Sequence, residues 1–190
     1  MTGREASEPA PAVAARRRSG VFARSMRSEG GATAVEFGLI ALPFATFLFL
    51  IFEVGLMFFA ATVLDASVKS AVREIRTGEA QSNGATLAAM KTGICDGFLG
   101  LFGCSSDLVL SVRKVDSFAD VTLTDPVSSD GTLSVTEGFD DGGADDYVIV
   151  QAFLPWSLST GLFGSAKATL SDGRFLLVST TLFRNEPFDE

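Results

Sequence analysis

Phe37–Leu64 reads FGLIALPFATFLFLIFEVGLMFFAATVL, and its first sixteen residues, through Phe52, hold five Phe and no hydrogen-bonding side chain but Thr46. A helix rising 1.5 Å per residue needs roughly 20 residues to cross the about 30 Å hydrocarbon layer of a bilayer. Phe37 to Met57 is long enough. Its lack of a polar face separates it from the amphipathic helix of a soluble core. Pro43 would break a soluble helix but is tolerated in a spanning one, where it introduces a kink. No other apolar stretch reaches spanning length, which predicts a single-pass protein.

The charges on either side give the span a direction. Residues 1–28 carry six Arg against two Glu, a net of +4, whereas residues 65–190 carry nine basic and eighteen acidic side chains, a net of −9. Lys and Arg beside a span stay on the cytoplasmic side, so the N-terminus is expected inside and the body outside. The acidic body argues against nucleic acid as a partner, because phosphates need Lys and Arg. A length of 190 residues favours one domain with a small appendage, and the mean hydropathy of +0.33 has its origin in the span. With no His and two Cys, the chain cannot build a Ser-His-Asp triad, a Cys-His pair or a His-bearing zinc site. No nucleophile sits beside a recognisable base and no Gly-rich loop cradles a phosphate, so neither an enzyme nor a cofactor is expected.

The chain divides into a disordered basic cytoplasmic leader (1–31), a transmembrane and extended N-terminal helix (32–78) and an α+β head (79–190). Ala66, Val68, Ala71, Val72 and Ile75 continue the helical spacing past the span, and Thr77-Gly78 ends it, Gly suiting the left-handed position after a helix. A second helix is predicted over Ala85–Phe102 from Leu87, Met90, Ile94, Phe98 and Leu101. From Asp107 the period changes to two: LVLSVRKV, YVIVQAFLPW and ATLSDGRFLLVSTTLF read as strands of an antiparallel sheet packed on the helices. Val121–Leu123 and Thr132–Val135 are candidate short edge strands.

Two carboxylates lie in or beside the span, where an unpaired charge costs several kcal/mol. Glu36 stands at its inner edge and Glu53 roughly 25 Å further along the axis, near the outer interface. Glu53 either reaches outward to headgroups or packs with a partner helix. The two side chains point about 100° apart and form no acid/base dyad. Arg27-Ser28-Glu29-Gly30-Gly31-Ala32-Thr33-Ala34-Val35-Glu36-Phe37 sets a Gly, four small or apolar residues, a Glu and an aromatic at the mouth of the helix. This resembles the prepilin peptidase site of type IV pilins, particularly the Flp and Tad branch, where cleavage follows the Gly and the Glu becomes the fifth mature residue. The resemblance implies recognition through Gly31, Ala32, Glu36 and Phe37, with Ala32 as the new N-terminus. The branch usually has Glu-Tyr, and Phe37 lacks that hydroxyl. Cleavage would create an α-ammonium one turn before Glu36, and pairing that carboxylate with an amino terminus, its own or a neighbour's, offsets the cost of both charges at membrane depth.

The resemblance extends further. GATAVEFGLIALPFATFLFLIFEVGLMF, with its Pro and its Glu-x-Gly at Glu53–Gly55, resembles the TadE-like family of pilus-assembly pseudopilins; AVREIRTG is similar to the segment that follows, and Arg184-Asn185-Glu186-Pro187-Phe188 resembles the family's closing motif. Between about residues 80 and 165 the match is loose. The length fits TadE or TadF better than the larger TadG. The family implies a minor pilin-like component of Tad/Flp type IV pilus assembly, a substrate of prepilin peptidase and not an enzyme. Implied with it are the bacterial inner membrane as location and a periplasmic head. Its partners would be prepilin peptidase, other pilin or pseudopilin subunits, inner-membrane platform proteins and the lipid bilayer.

Ala34-x-x-x-Gly38 and Ala41-x-x-x-Ala45 are small pairs that admit another helix closely, though such pairs are frequent in spans. Cys95 and Cys104 fall on the oxidising side, which favours a disulfide over free core thiols. Nine positions apart in an unbroken helix they would face opposite ways, so Gly97, Gly100 or Gly103 must bend the chain. Asp140-Asp141-Gly142-Gly143-Ala144-Asp145-Asp146 lacks the alternating ligands and closing Glu of a calcium loop and reads as a solvated hairpin loop, leaving no metal site. Two other classes stay open. A membrane-anchored periplasmic binding or sensor module would keep its leader and carry a pocket in the head. A secreted protein would be cut near Ala60 or Ala61, against which the basic leader and the long apolar stretch argue.

Overall fold

The computed structural model of the 190-residue chain describes residues 29–98, 103–121, 123, 125–158 and 169–188. The expected leader through residue 28, the glycine bend at Gly100 and the end of the second predicted helix lie outside them. The chain falls into two compact units, Met1–Leu48 and Phe49–Glu190.

Helix α1 is a single element, Glu29–Arg76, with Pro43 inside it. It therefore takes in Glu29, Gly30 and Gly31, which the sequence assigned to the leader. All described residues of the first unit are helical, and its large apolar side chains are bare, Phe37 and Leu42 each 72% exposed. Thr46 Oγ1 donates to the Leu42 carbonyl oxygen and Thr62 Oγ1 to that of Phe58, each at 2.9 Å, so both hydroxyls of the apolar stretch are satisfied inside the helix. From Val35 to Phe59, fourteen large apolar side chains are exposed. At roughly 25 cal/mol per Å², leaving them in water would cost on the order of 20 kcal/mol, more than the 5–15 kcal/mol that stabilises a typical domain. Such a surface suits an apolar solvent. Among the described residues this is the one helix long and apolar enough to cross a membrane.

In the second unit, α1 changes character. Glu53, Ala60, Leu64, Val68, Val72 and Ile75 are buried at spacings of three, four and seven, which is one helix face. The rest of this unit comprises α2 (Glu79–Ser82), α3 (Leu87–Asp96), α4 (Cys104–Asp107) and a four-stranded sheet of β1 (Val109–Val115), β2 (Gly138–Phe139), β3 (Tyr147–Trp156) and β4 (Phe175–Arg184), ordered β2-β1-β3-β4. β3 is antiparallel to β1, with Val150 opposite Val112, and to β4, with Val150 opposite Thr181. One sheet face, carrying Leu110, Val112, Val148, Val150, Leu154 and Phe183, joins the α1 stripe and Met90, Ile94 and Phe98 in a single core. Ile149, Gln151 and Phe153 on the other face of β3 are buried too. Burial on both faces explains why YVIVQAFLPW reads as a nearly continuous apolar run. Ser179 Oγ of β4 donates to Asp65 Oδ1 of α1 at 3.0 Å and fixes helix against sheet.

The sheet is mixed where the sequence predicted an antiparallel one. β2 lies parallel to β1, Gly138 opposite Ser111. The connection over 116–137 exceeds the about a dozen residues that a parallel return needs. Glu137 fixes its end, its Oε1 accepting from Lys91 Nζ at 2.7 Å and from the Leu110 N–H at 3.3 Å. Of the predicted edge strands, Val121 and Leu123 lie outside any strand, with the residue between them outside the described ones, and Leu133 makes only an isolated bridge to Val127. The second helix is shorter than predicted. Thr86 caps its start by accepting from the Ala89 N–H at 3.3 Å, and it ends at Asp96. A side chain at Gly97 would strike Ser67 Oγ, so the glycine lets the end of α3 close onto α1. β4 begins at Phe175, later than predicted, because Leu170–Arg174 forms a turn with Gly173 at φ +86°.

Candidate functional site

Gly31, Ala32, Glu36 and Phe37 all lie on α1. Ala32 and Glu36 are one turn apart and share a face, and both are exposed, as is Phe37. The structure thus presents the motif on an open helical surface. Open space also surrounds Gly38 and Gly55, where a Cβ would meet no atom within 4 Å. Backbone can be approached closely at both positions.

Glu53 lies against the rest of its own unit. It is 7% exposed, covered by its own chain and on the same face as Ala60 and Leu64. A carboxylate within an apolar helix is thereby shielded from lipid without a second molecule. Sequence periodicity could have found this, because Glu53 is seven residues, two turns, before Ala60.

Cys95, at the end of α3, and Cys104, at the start of α4, are joined by a disulfide with Cα atoms 5.5 Å apart. The chain turns between them after Asp96, so the half-turn mismatch of a continuous helix does not arise. The bond closes a short loop, and disulfides of this kind stabilise by restricting the unfolded chain.

The closing motif does something that its sequence did not disclose. Asn185 is 2% exposed, and its Nδ2 donates to the carbonyl oxygens of Asp141 at 3.0 Å and Gly143 at 2.9 Å. Gln81 Nε2 of α2 reaches the same loop, donating to Asp141 O at 3.1 Å and Gly142 O at 3.2 Å. The Glu186 N–H donates to the Arg76 carbonyl oxygen at 2.9 Å, and the two side chains pair at 3.3 Å. Arg184 binds the Asp145 carboxylate at 3.0 Å and lies over the Tyr147 ring. Phe188 packs on Gly78, whose φ is +79°; a Cβ there would stand 2.5 Å from the ring. Motif, acidic loop and the C-terminal end of α1 thus form one clasp. The carboxamide oxygens of Gln81 and Asn185 find no donor among the described residues, so the clasp is satisfied through its donors.

The acidic loop is held by protein groups. Lys114 Nζ pairs with Asp146 at 2.8 Å, and together with the Gly143 N–H holds the Asp146 carboxyl below its ordinary pKa. Among the described residues no cluster of acidic or sulfur ligands is arranged for a metal ion. A groove of about 480 Å³ runs between α1 and α3, lined mainly by Ala66, Ser67, Ala71, Ala89, Gly93 and Gly97, with Glu74 its carboxylate.

A family model described as TadE-like protein matches residues 31–73. The matched segment begins at the glycine of the candidate cleavage motif and ends within the last turn of α1. No curated protein and no solved structure matches the chain.

Two predictions follow from the clasp. Asn185→Ala removes both donors to the acidic loop and should lower the stability of the head by about 1–3 kcal/mol, read as a fall in Tm with the disulfide intact. The depressed Asp146 pKa stabilises the fold above its unfolded value near 4, and that stability is lost as pH falls through the lower folded value. Asp146→Asn should therefore flatten the acid limb of Tm against pH, and an unchanged limb would show that the Lys114 pair contributes nothing.

Proposed function

We propose that this chain is a minor pilin-like component of Tad/Flp type IV pilus assembly, cleaved by prepilin peptidase after Gly31 and acting through subunit contacts in the bacterial inner membrane, with its N-terminus cytoplasmic and its head periplasmic. The observation that carries the reading is the TadE-like match over residues 31–73 on a helix that leaves fourteen large apolar side chains bare between Val35 and Phe59. A structure that leaves so much apolar surface uncovered is built to meet lipid and other helices. The new ammonium at Ala32 would stand one turn from the exposed Glu36, a geometry suited to pairing with it or with the amino terminus of a neighbouring subunit. Prepilin peptidase, neighbouring pilins and platform proteins are the partners of this reading. The head, covered by its own core and clasp, serves as the specific surface.

One observation favours a second reading. The groove between α1 and α3 could hold a ligand, as expected of a membrane-anchored binding or sensor module without processing. Its lining adds Val63, Ile75, Met90 and Phe139 to the Ala, Ser and Gly, with Glu74 the one charged group, so few polar groups could orient a small molecule and the pilin-like reading stands first.

The N-terminal sequence of the protein recovered from membranes of its host separates the readings. A chain beginning at Ala32 is expected; an intact Met1 would leave the anchored module, and a soluble chain beginning near Ala61 would make the span a signal peptide. Glu36→Ala should still insert into the membrane yet fail to co-purify with other pilin subunits, and normal co-purification would refute the pairing.

A further inference from the structure

β4 is an edge strand, and the hydrogen bonds of the sheet show which of its backbone groups face outward. The Leu110 N–H reaches Glu137 and the Val112 carbonyl oxygen accepts from the Asp140 N–H, so these residues of β1 turn their backbone away from β3. Their partners across the ladder, Ala152 and Val150, therefore turn theirs toward β4, where they meet Ser179 and Thr181. By alternation Leu177 and Phe183 also bond to β3, while Leu176, Val178, Thr180 and Leu182 point N–H and C=O away from the sheet. The Asn185 N–H, which donates to the Asp146 carbonyl oxygen, keeps the same alternation.

This edge is closed at both ends and open between them. The Leu170 N–H takes the Arg174 carbonyl oxygen at one end, and the Glu186 N–H takes that of Arg76 at the other. Among the described residues nothing pairs with the stretch Leu176–Leu182, about 20 Å long. Val178 is 50% exposed and Thr180 is exposed beside it. Edge strands are commonly guarded against pairing by Lys, Pro or a bulge, but FLLVSTTLFR holds no Pro and no charge before Arg184, and its pairing with β3 runs without a bulge. Such an edge accepts another strand.

α1 supplies the charge beside it. Asp65, Lys69, Arg73 and Arg76 each follow a residue of the buried stripe, Leu64, Val68, Val72 and Ile75, and so lie about 100° round the helix from it. Asp65 binds Ser179 and Arg76 binds Glu186, which places this flank along β4; the opposite flank, with Ser67 and Glu74, faces α3. Asp65 answers Lys69 and Glu186 answers Arg76, whereas Arg73 is exposed and makes no ion pair among the described residues. In a body whose net charge is −9, the flank beside the open edge is left positive. Two copies joined through β4 would bring two such flanks together, so like charge disfavours a second copy.

We propose that the open edge of β4 is a docking surface that adds a strand from a partner protein, an extended segment with carboxylates at alternate positions turned toward Arg73. This deepens the subunit contacts of the proposed function and rests on that reading only for the partner being a neighbouring subunit.

The test uses the full chain in detergent and a short fluorescent peptide alternating Glu and Val. Binding, read by anisotropy, should be several-fold tighter than for the same peptide with Lys in place of Glu, and Arg73→Glu should reverse that preference. N-methylation of one alternate set of peptide N–H groups should abolish binding and of the other set should leave it, because a strand pairs along one edge. Val178→Pro removes an N–H that makes no bond to β3 and should also abolish binding, and the methylated peptides ask the same question of an unaltered head. No binding of the Glu peptide, equal effects of the two methylations, or a preference unmoved by Arg73→Glu would each overturn the proposal. Cleavage after Gly31 is read separately from the N-terminal sequence, so failure here leaves the pilin-like reading standing.

Discussion

One continuous helix has to be stable in two surroundings, and the rest of the molecule is arranged around that demand. A helix satisfies its own backbone, which is why it can pass from lipid into protein without a break. Its side chains cannot be indifferent in the same way. Along the first part of α1 they are apolar on every side and uncovered; from Glu53 onward one face is covered by the rest of the second unit, and from Asp65 the others turn polar. The change is made by the sequence of the helix itself, where bulky Phe and Leu give way to Ala60, Leu64, Val68, Val72 and Ile75 at core spacing among Asp, Lys, Ser and Arg.

The far end of that helix needs a second constraint, because the last turn of a helix leaves its carbonyls without partners inside the helix. Here Gly78 turns the chain in the left-handed conformation and the carboxy-terminal residues return to it. Phe188 occupies the space that any side chain at 78 would fill, Glu186 binds the Arg76 carbonyl, and Asn185 ties in the acidic loop. Two of the loop's charges are taken up within the protein: Asp145 and Asp146 receive Arg184 and Lys114. Between the two ends, the Asp65–Ser179 bond and the close approach at Gly97 fix the head along the helix.

Much of this was legible in sequence wherever a local period or composition carries the signal. The span, its continuation to Thr77-Gly78, the three long strands and the α+β class follow from spacing and from the lone long apolar stretch. The misses share a cause. The short parallel strand at Gly138–Phe139 exists because Glu137 meets Lys91 and the Leu110 N–H, partners distant in sequence. The early stop of α3 answers to Thr86 and to Ser67 packed against Gly97. The closing motif could be matched to a family pattern, but its work as a clasp depends on Asp141 and Gly143, more than forty residues away.

By itself the sequence determined what each segment can tolerate as surroundings, since hydropathy, helix rise and charge are local quantities. It therefore decided that residues 37–57 suit an apolar solvent and that the body is acidic. Only the tertiary structure decided which side of α1 is taken by the head and how far down the head reaches. That outcome depends on the register of α1 against the sheet, set by side chains from α1, β3 and β4 meeting in one core. The burial of Glu53 and the placing of Trp156 beside Leu56 are consequences of that register, and no local property of either residue fixes them.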